Sequence, residues 1–125
     1  MNQEHLFAGT ARREITTKEK GIHVIDPLYV KVLLLDDGKT QVAIIAMDVL
    51  AIGGIGDLSD DFLLALREKI ENELHIPANH VLVNASHTHP PGKILRDEDE
   101  VIKSTFVITY LRQNRAGANA GQCRF

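Results

Sequence analysis

The sequence predicts an α/β fold in which a β-hairpin is followed by a right-handed βαβ unit in one mixed sheet. Three observations predict it. Residues 28–35 and 40–49 are rich in β-branched side chains and flank Asp36-Asp37-Gly38-Lys39. Leu58, Phe62, Leu63, Leu66, Ile70 and Leu74 recur at the spacing of one helix face. Residues 80–86 alternate and are rich in valine, as a half-buried strand is.

In chain order, residues 7–15 read as a first strand, with Gly9 and the Arg12-Arg13 pair arguing against it. Residues 16–21 are polar and basic and read as a loop, and Asp26-Pro27 marks an extended or turn dipeptide. The next two runs are joined through Gly38, which can supply the positive φ of a tight turn, so they are expected as antiparallel neighbours. Residues 51–56, with Gly53, Gly54 and Gly56, connect strand to helix. The helix is expected over 58–74, capped by Asp57 or Ser59 and stopped by Pro77. At a rise of about 1.5 Å per residue it is roughly 25 Å long. Strand, helix, strand makes 41–48 and 80–86 a parallel pair with a right-handed crossover. A helix could begin in 97–107, although Thr105, Val107, Ile108 and Thr109 are β-branched and compete with it. Residues 112–125 show no period and read as an irregular tail, so the domain is expected to span 1–111.

Composition narrows the function classes. A chain of 125 residues, 44% apolar and 25% charged, can build one domain with a real core. A net charge of −3 points away from nucleic acid and anionic membranes. The single cysteine, Cys123, forms no internal disulfide and no thiolate metal site. The first residues carry neither a basic nor an apolar signal region, and the apolar runs are far too short for a transmembrane segment. A cytoplasmic location is expected; a homo-oligomer stays open.

Chemistry concentrates at the end of the last strand. Val81-Leu82-Val83-Asn84-Ala85-Ser86 runs straight into His87-Thr88-His89 and then Pro90-Pro91-Gly92. In an extended chain alternate side chains face the same way, so His87 and His89 share a face. Either both imidazoles converge on one ion, or one holds a metal while the other meets substrate; a bare His-x-His also occurs with neither role. Open α/β sheets place ligands at the carboxyl ends of strands, and imidazole suits zinc and other divalent metals. Pro90-Pro91 stands where dinuclear His-x-His-x-Asp-His hydrolases carry their aspartate pair, which argues against that class. Asp48 ends the preceding strand at the same edge, either as a carboxylate orienting an imidazole or as a loop cap. His23 lies in a loop that reaches toward the site or merely faces solvent. His5, His75 and His80 have no partner pattern. No Gly-x-Ser-x-Gly surrounds Ser86, so it is not nominated as a nucleophile, and the glycines at 53–56 lack dinucleotide-binding spacing.

Taken together, Ala8-Gly9-Thr10-Ala11, Glu14-Ile15-Thr16, Gly21-Ile22-His23, Asp26-Pro27-Leu28-Tyr29 and Leu33-Leu34-Leu35-Asp36-Asp37-Gly38 form an ordered set. The set continues through the strand ending in Asp48, Ile76-Pro77-Ala78-Asn79-His80-Val81-Leu82-Val83 and Ala85-Ser86-His87-Thr88-His89. Over about residues 5–100 it resembles the N-terminal region of the neutral/alkaline non-lysosomal ceramidases and their bacterial relatives. Those enzymes are zinc-dependent amidases that release sphingosine and a fatty acid from ceramide. The resemblance implies a zinc cofactor and a lipid or other small-molecule amide substrate. It places the zinc-ligating first histidine of the family's His-Thr-His on His87. The second, which lies beside the scissile carbonyl, falls on His89. The family's further ligands (a second histidine, a glutamate and a tyrosine) and its catalytic serine lie downstream of the matched region. Pro90-Pro91-Gly92 also replaces the family's usual Ser-Gly-Pro. The expectation is therefore a truncated, incomplete domain that does not catalyse alone. The alternative is a non-catalytic α/β remnant serving binding or assembly.

Overall fold

Two apolar runs joined by Asp37-Gly38-Lys39-Thr40 fold back on each other as β2 (Tyr29–Asp36) and β3 (Gln41–Met47). They pair antiparallel from Val30 opposite Met47 to Asp36 opposite Gln41. The computed structural model describes residues 5–54, 56–89 and 95–114 and the backbone of Gln122–Arg124. Gly38 takes φ +94 at the turn. The Asp37 carboxylate accepts from the amides of Thr40 (2.7 Å) and Lys39 (2.9 Å), and Asp36 accepts from Gly38 (2.7 Å).

The Thr40 and Lys39 amides, in that order, hold the Asp37 carboxyl below its ordinary value. A carboxyl depressed in the folded state stabilises the fold above its unfolded value, and that contribution disappears as pH falls through the folded one. The denaturant midpoints of wild type and Asp37→Ala are therefore expected to differ near pH 7 and to converge on acidification below about pH 4. A gap that persists unchanged at pH 2.5 would show that the carboxylate does not anchor the turn.

β1 (Phe7–Glu14) pairs antiparallel with β2 along its whole length. After the hairpin, α1 (Phe62–Leu74) crosses to β4 (Val81–Ala85), which lies parallel to β3 in the register Ala43–Val81 to Met47–Ala85. The hairpin and the parallel pair are as expected. α1 starts four residues later than its apolar period implies. Leu58 is buried, but it forms an isolated bridge with Ile52. Ser59 is no N-cap: its amide and hydroxyl both donate to the Glu98 carboxylate. At the other end His75, at φ 60, closes the helix before Pro77 is reached, its amide donating to Glu71 O.

The expected irregular tail needs correction. α2 (Glu98–Asn114) continues past 111, and the backbone of β5 (Gln122–Arg124) pairs antiparallel with β1, giving the sheet order β4-β3-β2-β1-β5. The β-branched threonines do not break α2. Thr105 and Thr109 are buried, and their hydroxyls donate to the carbonyls of Val101 and Thr105, each at 2.7 Å. Bonding back to the i−4 carbonyl satisfies both polar groups inside the packed face.

Val30, Val32, Leu34, Ala43, Ile45, Met47 and Val81 form one buried cluster with Phe62, Leu66 and Ile70 of α1 and Val101 and Ile108 of α2. Both helices therefore cover one face of the sheet. The opposite face carries Leu33, Leu35, Val42 and Ile44, all half-buried, and Leu82, which is 55% exposed. Among the described residues no helix is long and apolar enough to cross a membrane.

Candidate metal corner at the carboxyl edge of the sheet

Because β3 and β4 are parallel, both end at the same edge, which brings Asp48 and His87 to one side of the sheet. The ladder continues past the strands: the amide of Ser86 donates to Met47 O at 2.9 Å and that of His87 to Val49 O at 3.0 Å. The chain then turns sharply, and His87 adopts φ +64. A histidine in the left-handed region is uncommon and must be held there by its surroundings. Here the two main-chain bonds hold one side, and a 2.6 Å hydroxyl contact between Ser86 and Thr88 holds the other.

The imidazole of His87 is fixed as well. Its Nδ1 lies 2.8 Å from Leu50 O. A carbonyl only accepts, so Nδ1 carries the proton and, in the neutral ring, the lone pair sits on Nε2. His89 meets it edge-on, with ring centroids 4.5 Å apart and planes at 84°. Two imidazoles on one tetrahedral zinc, with bonds of about 2.0–2.1 Å, have centroids about 5 Å apart. The ring separation is thus close to that of a pair sharing an ion. Both histidines are exposed to solvent. They do meet, but not through the extended alternation expected, because residues 86–89 lie outside the strand and the turn at His87 brings the rings together.

The other two candidates stand differently. The Asp48 carboxylate accepts from the Tyr29 amide at 3.0 Å while the Asp48 amide donates to Tyr29 O. It caps the start of β2, and the group that orients His87 is the Leu50 carbonyl. His23 is exposed in the connection between β1 and β2. Among the described residues no group of three His, Cys, Asp or Glu side chains is placed to hold a metal ion. Pro90-Pro91-Gly92 lies outside the described residues.

Leu50 belongs to a loop shaped by a close approach. Gly56 donates to Gly53 O at 2.9 Å, and a Cβ at Gly56 would overlap the Ala51 carbonyl. Asp60 accepts from the Gly54 amide at 2.8 Å. The glycines that lacked a dinucleotide pattern therefore let this loop fold tightly beside the carbonyl that orients His87.

No family model matches the chain, and no curated protein matches it significantly.

Proposed function

We propose that this chain carries the metal-site corner of a zinc-dependent amide hydrolase of the neutral/alkaline ceramidase type, acting on N-acylsphingosine-type amides. One observation carries the reading: the His87 ring is held through Nδ1 by Leu50 O at 2.8 Å, leaving Nε2 to accept a ligand. Proteins fix the tautomer and angle of metal-ligating histidines in this way. In this reading His87 holds the ion and His89 contacts the same ion or the scissile carbonyl. Zinc at such a site supplies a bound water whose pKa is lowered to about 7, ready to attack an amide carbonyl. Catalytic zinc sites use about three protein ligands, so a working site draws at least one more from outside the described residues.

The experiment exposes purified chain and zinc to a short-chain ceramide and to a fluorogenic N-acylsphingosine. The ceramide is expected to shift the His87 and His89 ring resonances, and His89→Ala to weaken that response; no shift would overturn the substrate class. Turnover is expected to stay at background, because the described residues bring no group of three metal-ligating side chains together. Robust zinc-dependent hydrolysis would instead show a self-contained or self-assembled site.

A second reading, a non-catalytic module used for binding or assembly, is favoured by the sheet face around half-buried Leu33 and Ile44 and the 55%-exposed Leu82, over which no described helix packs. Such a module binds no zinc through His87, which separates the two.

A further inference from the structure

The net charge of −3 conceals a local excess of the opposite sign. Arg13 of β1, Lys18 of the following connection, Arg96 and Lys103 line one open cavity of about 290 Å³. A single carboxylate, Glu100, shares it, as do Ser104 and Val107. None of the four cations forms an ion pair with a described residue. Elsewhere Lys69 pairs with Glu73 at 2.7 Å, so lysines on this protein do find carboxylates when these are in reach.

One of the four is held in place. Leu95 bridges to Thr16, the Arg96 amide donates to Ile15 O at 2.9 Å, and the Arg96 Nε donates to Thr16 O at 2.7 Å. The stem of this half-buried guanidinium is therefore fixed, and among the described residues no hydrogen bond to its terminal nitrogens is seen. A planar guanidinium with free terminal N–H groups matches the oxygens of a phosphate, and lysines around it add point charges. Four like charges around one groove, offset there by Glu100 alone among its lining residues, repel one another, and a bound dianion relieves that repulsion. Ser104, buried at the base of the groove, can add a hydroxyl donor.

We infer that this groove is a binding site for a phosphate monoester, with Arg96 as the fixed contact and Arg13, Lys18 and Lys103 around it. It is independent of the metal corner and of the reading built on that corner. The same group occurs free and as a phosphatidate headgroup.

Isotope-labelled protein is titrated with inorganic phosphate at constant ionic strength. Saturable amide shifts are expected at Arg13, Lys18, Arg96 and Lys103. Arg96→Gln is expected to weaken binding about tenfold or more, as loss of a charge-assisted hydrogen bond does. Because Arg96 also ties Thr16, Arg13→Gln and Lys103→Gln, both at exposed positions, serve as variants that keep the fold and should likewise weaken binding. Lys20→Gln, outside the groove, should not. Shifts that do not saturate, that chloride reproduces, or that survive all three variants would overturn the site. Flotation with phosphatidylcholine vesicles containing phosphatidic acid separates the sources. Retention that free phosphate displaces supports the headgroup form, and phosphate binding without retention supports a soluble phosphomonoester. Retention that phosphate does not displace counts against the site.

Discussion

Phe62→Ala is expected to cost about 3–5 kcal/mol of stability, the range for removing a fully buried aromatic ring. Phe62 opens α1, and its side chain is wholly buried in the cluster that joins both helices to the sheet. Ile45, Met47 and Leu66 belong to the same cluster and are already fully buried, so the space is expected to be filled only in part. Domains of this size are stable by only about 5–15 kcal/mol, so the variant should unfold at a much lower denaturant concentration. Leu64, on the same helix but 59% exposed, gives the contrast: Leu64→Ala should stay within about 0.5 kcal/mol of wild type. Chemical denaturation followed by circular dichroism checks both. A loss below about 1 kcal/mol for Phe62→Ala would mean that α1 is not packed onto the sheet as described.

Much of this architecture was legible because periodicity reports burial. Val30, Val32 and Leu34 alternate toward the helices, and Phe62, Leu66, Ile70 and Leu74 repeat every fourth residue beneath them. The same signal misplaces the start of α1, since Leu58 is buried with the right spacing yet belongs to a turn bridged to Ile52. It also undervalues α2, where Thr105 and Thr109 read as strand formers until their hydroxyls are seen bonding within the helix.

The candidate site was half legible. Residue type and the strand end marked His87 and His89, and the parallel register put Asp48 at the same edge. The Leu50 carbonyl that fixes the His87 tautomer left no trace, because a main-chain group has no residue signature; the glycines at 53, 54 and 56 read only as a flexible connection, not as the tight loop found there. The basic groove escaped for another reason. Its cations sit at 13, 18, 96 and 103, and the Thr16–Leu95 bridge with the two Arg96 bonds to Ile15 O and Thr16 O draws those segments together.

In the proposed site His87 is the metal-ligating histidine, its ring set by Leu50. Its Nε2 is the free nitrogen of an oriented imidazole. Removing it deletes a ligand outright, whereas removing an orienting partner typically costs about 10–100-fold in affinity. His87→Ala should therefore weaken zinc by more than about 100-fold. His23→Ala is expected to leave zinc binding unchanged, since His23 is exposed in the connection between β1 and β2. The direct measurement is zinc stoichiometry and affinity for wild type, His87→Ala and His23→Ala by competition with a chromogenic chelator. Wild type and His23→Ala are predicted to bind zinc alike while His87→Ala loses it. Zinc retained in full by His87→Ala, or a wild-type chain that binds none, would contradict the account.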